Sequence, residues 1–350
     1  MAVVHVRPGG DTFRWRGLET PETPLFPGLV HREFGRGEFR GMEFLHVEAK
    51  RIINEVPSAS RVPFRWTINA YRGCSHACRY CFARPTHEYL NLGTGRDFET
   101  KIVVKVNAVE RVRAELAPRR WAGEHIAMGT NTDPYQRAEG KYRLTRGIVE
   151  VLSELRNPFS ILTKGTLIVR DLDLLVEAAE RTSVAVNFSI GTLDDEVWKL
   201  TEPGTPHPRQ RVDAMARLSA AGVDTGVLVA PILPGLSDGE RQIDDVVAAC
   251  LDAGARSISP IMLHLRPGVR DHYIGWLAER RPDLLARHES IYRRGAYAPN
   301  DVQRRIAERV ARAIERHGGL APRGGGARRI TTPACPTAAP VAPQQLHLDV

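Results

Sequence analysis

The sequence predicts an α/β protein, a partial (β/α)6 barrel of the TIM-like type with an N-terminal extension and C-terminal helices. Short apolar segments alternate with longer segments of helical period between about residues 63 and 261. This alternation is typical of βαβ units that build a parallel sheet. No Gly-x-Gly-x-x-Gly follows the first apolar segment, which argues against a dinucleotide-binding sheet. An open barrel of six units agrees with both observations.

The elements follow in a regular order along the chain. The predicted strands are residues 64–70, 125–129, 159–163, 184–190, 225–230 and 256–261. The predicted helices between them are residues 107–116, 144–155, 171–181, 207–221 and 239–253. Asp171 is the predicted N-cap of its helix. Pro231 is predicted to end the fifth strand because proline cannot donate to a sheet ladder.

The pattern divides the chain into four regions. Residues 1–60 have no clear period and contain glycine and proline clusters, which predicts an extension that wraps the domain or is partly disordered. Residues 61–275 would form the barrel, and residues 276–319 a basic helical segment. Residues 320–350 are rich in Ala, Pro and Gly, which predicts a disordered tail.

The basic segment contains one strongly amphipathic stretch, predicted as a helix over residues 301–317. Asn300 is its predicted cap, and Gly318-Gly319 is predicted to end it. The apolar residues that recur at every fourth position are Val302, Ile306, Val310 and Ile314.

The positive charge of the chain is concentrated near its C-terminus. The net charge is +8, and residues 276–330 hold 13 arginines, no lysine and 6 acidic residues, a local balance of 13 − 6 = +7. Such a region suits a polyanionic partner such as nucleic acid. The alternative is a solvated helical face in a chain that uses arginine in place of lysine, since the whole sequence has only 6 lysines.

Targeting signals are absent from the sequence as given. It has no apolar run of 18 residues, and its first ten residues lack the apolar core of a secretory signal, so we expect a cytoplasmic protein without membrane association. Its five cysteines do not suggest a disulfide framework. Cys250 lies in a helical pattern and is predicted to be a buried structural thiol, and Cys335 stands alone.

Three cysteines fall within eight residues, directly after the first predicted strand. Cys74, Cys78 and Cys81 have the spacing C-x3-C-x2-C. Thiolates are the ligands of iron–sulfur clusters, and three of them on a four-iron cube leave one iron open to a small molecule with an amine and a carboxylate. A structural zinc site that adds His76 is the alternative, although zinc sites favour paired C-x2-C elements separated by a longer loop.

The segment C-x3-C-x-aromatic-C, placed after the first strand of a βα barrel, resembles the signature of the radical S-adenosylmethionine (SAM) superfamily. The resemblance implies that Cys74, Cys78 and Cys81 hold a [4Fe–4S] cluster and that SAM chelates its fourth iron. Tyr80 would lie beside the adenine of SAM. One electron, from a reductant such as ferredoxin or flavodoxin, would split SAM into methionine and a 5′-deoxyadenosyl radical that abstracts hydrogen from the substrate.

More narrowly, residues 60–270 are similar to the spore photoproduct lyase-like group, also called DNA repair photolyases, which implies lyase-like chemistry. The similarity rests on Cys-Phe-Ala-Arg-Pro-Thr-His-Glu (81–88), Thr-Asp-Pro-Tyr-Gln (132–136), Leu-Thr-Arg (144–146), Leu-Thr-Lys (162–164), Glu-Pro (202–203) and Val-Ala-Pro-Ile-Leu-Pro-Gly-Leu-Ser-Asp (229–238). Spore photoproduct lyase uses a cysteine at its second strand as hydrogen donor. Residues 128–133 contain no cysteine, so we do not expect repair of a thymine dimer by that route.

The resemblance also suggests contacts to SAM at the ends of three strands. Thr132 and Asp133 follow the second strand, where superfamily members bind the amino group of SAM, and a simple turn is the alternative. Lys164 ends the third strand and resembles a lysine that contacts SAM, where it would meet the carboxylate. An exposed loop charge is the alternative for Lys164.

The fourth strand and the loop after it supply further candidates. Asn187 and Ser189 alternate with apolar residues, so both are predicted to point into the barrel, and Ser189 matches a SAM-contacting position of the related lyase. Both side chains could instead bond only backbone groups. Glu202 is a candidate anchor for substrate or for Arg209.

Two functional hypotheses follow. The first is an enzyme that cleaves SAM reductively and acts on an unidentified substrate, with nucleic acid as a possible class. The second is a nucleic-acid-binding protein whose metal centre is structural or redox-sensing, with residues 276–330 carrying the binding.

Overall fold

The structure is a computed structural model that describes residues 26, 28–58, 60, 62–117 and 121–320. Its strands are β1 (Leu29–Phe34), β2 (Glu43–Val47), β3 (Ile53–Glu55), β4 (Trp66–Ile68), β5 (Tyr71–Arg72), β6 (Lys101–Lys105), β7 (Ile126–Met128), β8 (Phe159–Thr163), β9 (Val184–Ser189), β10 (Asp224–Ile232) and β11 (Ile258–Met262). Its α-helices are α1 (Arg96–Thr100), α2 (Ala108–Leu116), α3 (Arg137–Tyr142), α4 (Leu144–Glu154), α5 (Leu172–Arg181), α6 (Asp195–Thr201), α7 (Pro208–Ala220), α8 (Glu240–Asp252), α9 (Val269–Arg280), α10 (Leu285–Tyr292) and α11 (Asn300–Arg316). Short 3-10 helices lie at Gly37–Phe39, Arg84–Leu90, Thr166–Asp171 and Pro282–Leu284.

The larger sheet has the strand order β11-β10-β9-β8-β7-β4-β3. Every neighbouring pair from β4 to β11 is parallel, and β3 pairs antiparallel with β4. Six parallel strands joined through helices confirm the predicted α/β class and agree with a partial barrel of the TIM-like type. Within the described residues β3 and β11 are the edges of this sheet, so the barrel is open in its strand order.

The main core lies between this sheet and the helices. In α4, Ile148, Val151 and Leu152 are buried on one face, as the 3.6-residue period requires, and they pack with buried strand residues such as Ile161 and Val186. Cys250 in α8 is fully buried in the same core, as predicted, and burial raises the pKa of its thiol to about 12.

The predicted C-terminal amphipathic helix is confirmed as α11, which packs on α8 and β11. Ile306 and Val310 are buried, and Gly318 after the helix has a φ of 90°. The cap differs from the prediction. Asn300 is the first residue of the helix, and Pro299 takes the N-cap position.

Three other predicted features differ in detail. The first strand is shorter than residues 64–70, because the chain leaves the sheet after Ile68 and pairs again only at β5, in the other sheet. β10 continues through Pro231, with a shift of register between Val229 and Ile232. The side chain of Asp171 does not cap α5, because it pairs with Arg146 and Arg170.

A second sheet of order β1-β2-β6-β5 lies in part within the N-terminal extension. The sequence showed no period there, yet β1 and β2 pair antiparallel and β2 pairs parallel with β6. A small core beneath it includes Leu45, Val47, Leu90 and Val103. Its short strand β5 leads directly into the cysteine loop. The predicted region boundaries stay predictions, and the predicted tail lies outside the described residues beyond residue 320.

Candidate functional site

The cysteine loop begins where β5 ends. Gly73 has a φ of 80°, and a Cβ there would lie 2.8 Å from His87 Cε1 and 3.0 Å from the Phe98 carbonyl oxygen, so the turn needs glycine. The amide of Cys74 donates to the Phe98 carbonyl at 2.9 Å. Ala77 has a φ of 53°, which is uncommon for a non-glycine residue. The loop therefore holds a specific, constrained backbone.

Arg84 holds the cysteine loop through hydrogen bonds to backbone carbonyls. Its side chain is fully buried, and it donates to the Cys78 carbonyl at 2.9 Å and to the Thr94 carbonyl at 2.9 Å. It also pairs with Glu99 at 2.5 Å and lies over the Phe98 ring. A guanidinium whose donors meet several carbonyls can hold a loop that has no regular secondary structure of its own.

The turn after β7 holds the first part of the cysteine loop, at Gly73 and Ser75. Thr132 Oγ1 donates to the Gly73 carbonyl at 2.6 Å, and Gln136 Nε2 donates to the same carbonyl at 2.9 Å. Gln136 Oε1 accepts from the Ser75 amide at 3.0 Å. Both side chains are buried, so these bonds are protected from water.

The turn of residues 201–205 supports the cysteine loop through two backbone hydrogen bonds. The Arg79 amide donates to the Thr201 carbonyl at 2.9 Å, and the Gly204 amide donates to the His76 carbonyl at 3.1 Å. A Cβ on Gly204 would collide with the Ser75 carbonyl oxygen and lie 3.0 Å from the His76 carbonyl. Glycine is therefore required at this close approach.

The three thiols share one buried environment. Cys74 and Cys78 are buried, and Cys81 is partly buried. Burial raises the pKa of all three thiols, that of Cys78 to about 12, and each thiolate would also repel the others. Such thiols stay protonated unless a cation binds them, and bound metal deprotonates thiols of this kind.

Lys164 connects the ends of two strands to the cysteine loop. Its Nζ donates to Ser189 Oγ at 2.7 Å and lies 5.6 Å from the centre of the Tyr80 ring. Its backbone amide donates to Asp133 Oδ2 at 2.7 Å. The structure thus brings Asp133, Lys164 and Ser189, at the carboxyl ends of β7, β8 and β9, together with Tyr80 of the cysteine loop.

Asp133 is enclosed by donors. Its carboxylate accepts from Thr163 Oγ1 at 2.6 Å and lies 3.4 Å from His76 Nδ1. Burial alone would raise the pKa of Asp133, but His76, the Lys164 amide and the Thr163 hydroxyl outweigh it and lower the pKa to about 2. The carboxylate is charged at any physiological pH.

Asn187 lies on β9 two residues before Ser189. Its neighbours Val186 and Phe188 join the core, so Asn187 points to the opposite face of the sheet. A Cβ on Gly226 of β10 would lie 2.5 Å from Asn187 Oδ1, so the amide packs against the neighbouring strand. Among the described residues, no hydrogen bond or ring contact joins Asn187 to Lys164 or Tyr80.

The sequence suggested that Glu202 could anchor Arg209, and this interpretation is wrong. Glu202 is buried and pairs with Arg211, a fully buried residue of α7, and it accepts a hydrogen bond from the Tyr80 hydroxyl. The reason is helical spacing: Arg209 points to solvent, whereas Arg211, two residues later in α7, faces inward.

Comparisons with known proteins agree with this geometry. The family model of the radical SAM superfamily matches residues 68–247, which include the cysteine loop and β7 to β10. The chain belongs to the radical SAM superfamily. A relative in Mycobacterium tuberculosis, named as an uncharacterised protein, is 46% identical over 290 residues, 83% of this chain and 85% of that protein.

Two further proteins are similar to the chain. A spore photoproduct lyase variant, solved with bound AdoMet and dinucleoside spore photoproduct, has a TM-score of 0.57 at 18% identity and covers 79% of each chain, which supports the shared fold. A Pseudomonas phage M6 protein named radical SAM Nalpha-GlyT isomerase is 27% identical over 164 residues, 47% of this chain and 32% of its own.

Radical SAM proteins use a [4Fe–4S] cluster and SAM, and the loop residues fit such a cluster. Its donors are three thiols, and a cube binds each thiolate to a different iron. Among the described residues, no three His, Cys, Asp or Glu side chains are arranged to hold one metal ion. His76, the fourth ligand of the zinc alternative, lies with Nδ1 3.4 Å from Asp133 Oδ2. The donor set therefore suits a cluster with an open iron.

Several residues of this site were not identified from the sequence. Arg84 and Gln136 lie inside quoted motifs, at 81–88 and 132–136, but their roles depend on partners distant in sequence. Arg211 had no signal at all.

Over the residues that the structure describes, no helix is long and apolar enough to cross a membrane.

Proposed function

We propose that Cys74, Cys78 and Cys81 hold the [4Fe–4S] cluster and that the chain binds SAM beside it and cleaves it reductively. The observation that carries this proposal is the convergence of a thiol loop with Lys164 and Ser189. The loop is held by Arg84, Thr132 and the 201–205 turn. The ammonium and hydroxyl lie at strand ends, where a barrel binds its ligands.

When bound and reduced, the cluster supplies the electron that splits SAM into methionine and a 5′-deoxyadenosyl radical. The protein's own residues bind and orient. The Lys164 ammonium is placed to meet the carboxylate of SAM, and Tyr80 offers its ring to the adenine. Asn187 remains a proposed contact farther inside the barrel. An external one-electron donor such as ferredoxin or flavodoxin completes the proposal.

The first prediction tests the reaction itself. Anaerobically reconstituted protein, reduced with dithionite, is expected to release 5′-deoxyadenosine from SAM, because the cluster and the SAM site lie together. Chromatography of the quenched mixture measures the product. A protein that binds nucleic acid but releases no 5′-deoxyadenosine would support the alternative, a binding module with a structural or redox-sensing metal centre.

A second prediction separates SAM contacts from loop supports. Lys164→Met and Ser189→Ala are expected to weaken SAM binding roughly 5- to 150-fold with unchanged iron content, since polar contacts are worth about 1–3 kcal/mol. Thr132→Val and Asp133→Asn are expected to lower the iron content as well, because these side chains bond the cysteine loop and Lys164. Equilibrium dialysis and iron analysis provide the two readouts. Wild-type SAM affinity in all four variants would refute the proposed contacts.

Nucleic acid is the substrate class that a specific observation favours. The rim beside the cysteine loop exposes Phe82 and Tyr89. The segment after β11 abuts this rim, since a Cβ on Gly268 would lie 2.8 Å from Pro85 Cγ. Arg266 of that segment donates at 3.0 Å to the hydroxyl of Tyr297, an exposed residue between α10 and α11. Exposed aromatic rings among arginines are suited to stacked bases and phosphates.

The third prediction tests this class through its salt dependence. Arg293, Arg294, Arg304, Arg305 and Arg312 are all exposed. If they contact phosphates of duplex DNA, the log–log slope of affinity against salt should be about −0.9 per contact, and charge reversal should flatten it while sparing SAM cleavage. Arg217→Glu on α7, exposed but outside the basic segment, is the control. No measurable DNA or RNA affinity at physiological salt would leave these arginines as the solvated face of α10 and α11.

A further inference from the structure

One buried guanidinium joins two proposed SAM contacts. Arg211 Nη1 donates to the Ser189 carbonyl at 3.1 Å, and Arg211 Nη2 donates to Glu202 and, at 2.5 Å, to Thr205 Oγ1. Its Nε donates to the Pro206 carbonyl at 3.0 Å. The side chain is fully buried, and its bonds to Ser189, Glu202 and Thr205 lie away from water. One arm of Arg211 therefore holds the end of β9, and the other holds the turn that carries Glu202.

Glu202 carries the second arm on to the cysteine loop. One carboxylate oxygen accepts from Arg211, and the other accepts from the Tyr80 hydroxyl. Burial would raise the pKa of Glu202, but Arg211 and Lys164 outweigh it and lower the pKa, so the group is a carboxylate. The Tyr80 hydroxyl is the donor of its bond to Glu202, and the carboxylate oxygen is the acceptor.

The two arms of Arg211 hold Tyr80 and Ser189, which both lie beside the Lys164 ammonium. The Tyr80 ring is held by its hydroxyl, at the end remote from the backbone, which leaves a ring face towards Lys164. Lys164 bonds Ser189 Oγ, and the carbonyl of the same Ser189 is held by Arg211. A shift of Arg211 would therefore move Tyr80 and Ser189 relative to each other.

We propose that Arg211 and Glu202 are positioning residues for SAM, which set the distance between the Tyr80 ring and the Ser189–Lys164 pair. The inference rests on the proposed function. Stability alone does not explain the pair, because a buried ion pair is often no more stable than apolar residues of the same shape. A fixed spacing does explain it, since a guanidinium with fixed fork geometry holds both partners at once.

The chain contains a matched control, a second buried Tyr–Glu–Arg triad with a different location. Tyr71 donates to Glu139 at 2.5 Å, and Arg170 pairs with Glu139 at 3.0 Å. Glu139 also accepts from the Thr145 amide at 2.9 Å, so this triad fixes the junction of α3 and α4. It has the same chemistry, with Tyr71 and Glu139 buried and Arg170 partly buried, and it does not touch Tyr80, Lys164 or Ser189.

The test compares the two triads in cluster-loaded protein. Tyr80→Phe, Glu202→Gln and Arg211→Lys are expected to weaken SAM binding roughly 5- to 10-fold, the loss of about one hydrogen bond, with unchanged iron content. The same variants should reduce the change that SAM causes in the EPR spectrum of the reduced cluster. Tyr71→Phe and Glu139→Gln are expected to lower the melting temperature and leave SAM affinity within about twofold of the wild type.

A double mutant adds a direct test of coupling. Because Glu202 is argued to act through Tyr80, Tyr80→Phe with Glu202→Gln should bind SAM about as weakly as the weaker single variant. If Glu202→Gln does not fold, Tyr80→Phe decides alone, since it keeps the Glu202–Arg211 pair. SAM affinity equal to that of the Tyr71 and Glu139 variants would overturn the inference. A wild-type protein that holds no cluster or binds no SAM would instead overturn the proposed function.

Discussion

Alanine at Cys74, Cys78 or Cys81 is expected to give a colourless protein without bound cluster, whereas the wild type, purified anaerobically, should be brown with about four irons and four sulfides per chain. Each thiolate would bind a different iron, so two remaining thiolates would leave a second iron open in a loop whose backbone is already constrained. Iron and sulfide analysis and the visible spectrum measure the outcome. The expected effect is a complete loss of cluster.

Two alanine variants serve as controls for this result. Cys250 is fully buried in α8, and its replacement should leave the colour unchanged, although it removes core volume. Cys335, outside the described residues, should also be dispensable for the cluster. Stoichiometric zinc without sulfide would contradict the cluster assignment and restore the zinc alternative.

The barrel strands and helices were predictable because their burial is periodic. β8 was predicted residue for residue, since Phe159, Ile161 and Thr163 are buried and alternate with half-buried positions. The helices on the outside carry one apolar face each, as α11 shows with Ile306 and Val310. Local sequence is sufficient wherever one face of an element meets the core.

The second sheet was not predictable for the opposite reason. β1 is an edge strand in which no residue is buried, so its sequence shows no alternation. β5 has only two residues, Tyr71 and Arg72, and it depends on β6, about thirty residues later in the chain. Such short elements are fixed by their partners and not by their own sequence.

The residues of the candidate site also differ in whether local sequence could predict them. The cysteines share one loop, and their spacing carries the chemistry, so they were identified from the sequence. Lys164 follows β8 and Ser189 ends β9, and the ends of both strands were predicted to within one residue. Arg211 acts on Glu202, nine positions away, and on Ser189, twenty-two positions away, through contacts that appear only once α7 is packed. No local pattern marks an inward-facing arginine.

Alanine at Gly204 is expected to produce the second largest effect, the loss of most of the cluster in a protein that remains folded. The added Cβ would collide with the Ser75 carbonyl oxygen and press on His76, both between Cys74 and Cys78. Backbone atoms cannot yield as a flexible side chain can, so the loop or the 201–205 turn must shift. Overpacking of this kind typically costs about 1–3 kcal/mol.

Part of the displacement would fall on the loop, because the turn is also firmly held. Thr205, next to Gly204, bonds Arg211, and Glu202 pairs with the same guanidinium, whereas the loop must still place three thiols around one cluster. Gly275→Ala in α9 is the matched control, since nothing lies within 4 Å of its added Cβ. Iron content after anaerobic purification and the melting temperature are measured for both. If Gly204→Ala retains wild-type iron, the 201–205 turn does not support the cysteine loop in the way its hydrogen bonds to Arg79 and His76 indicate.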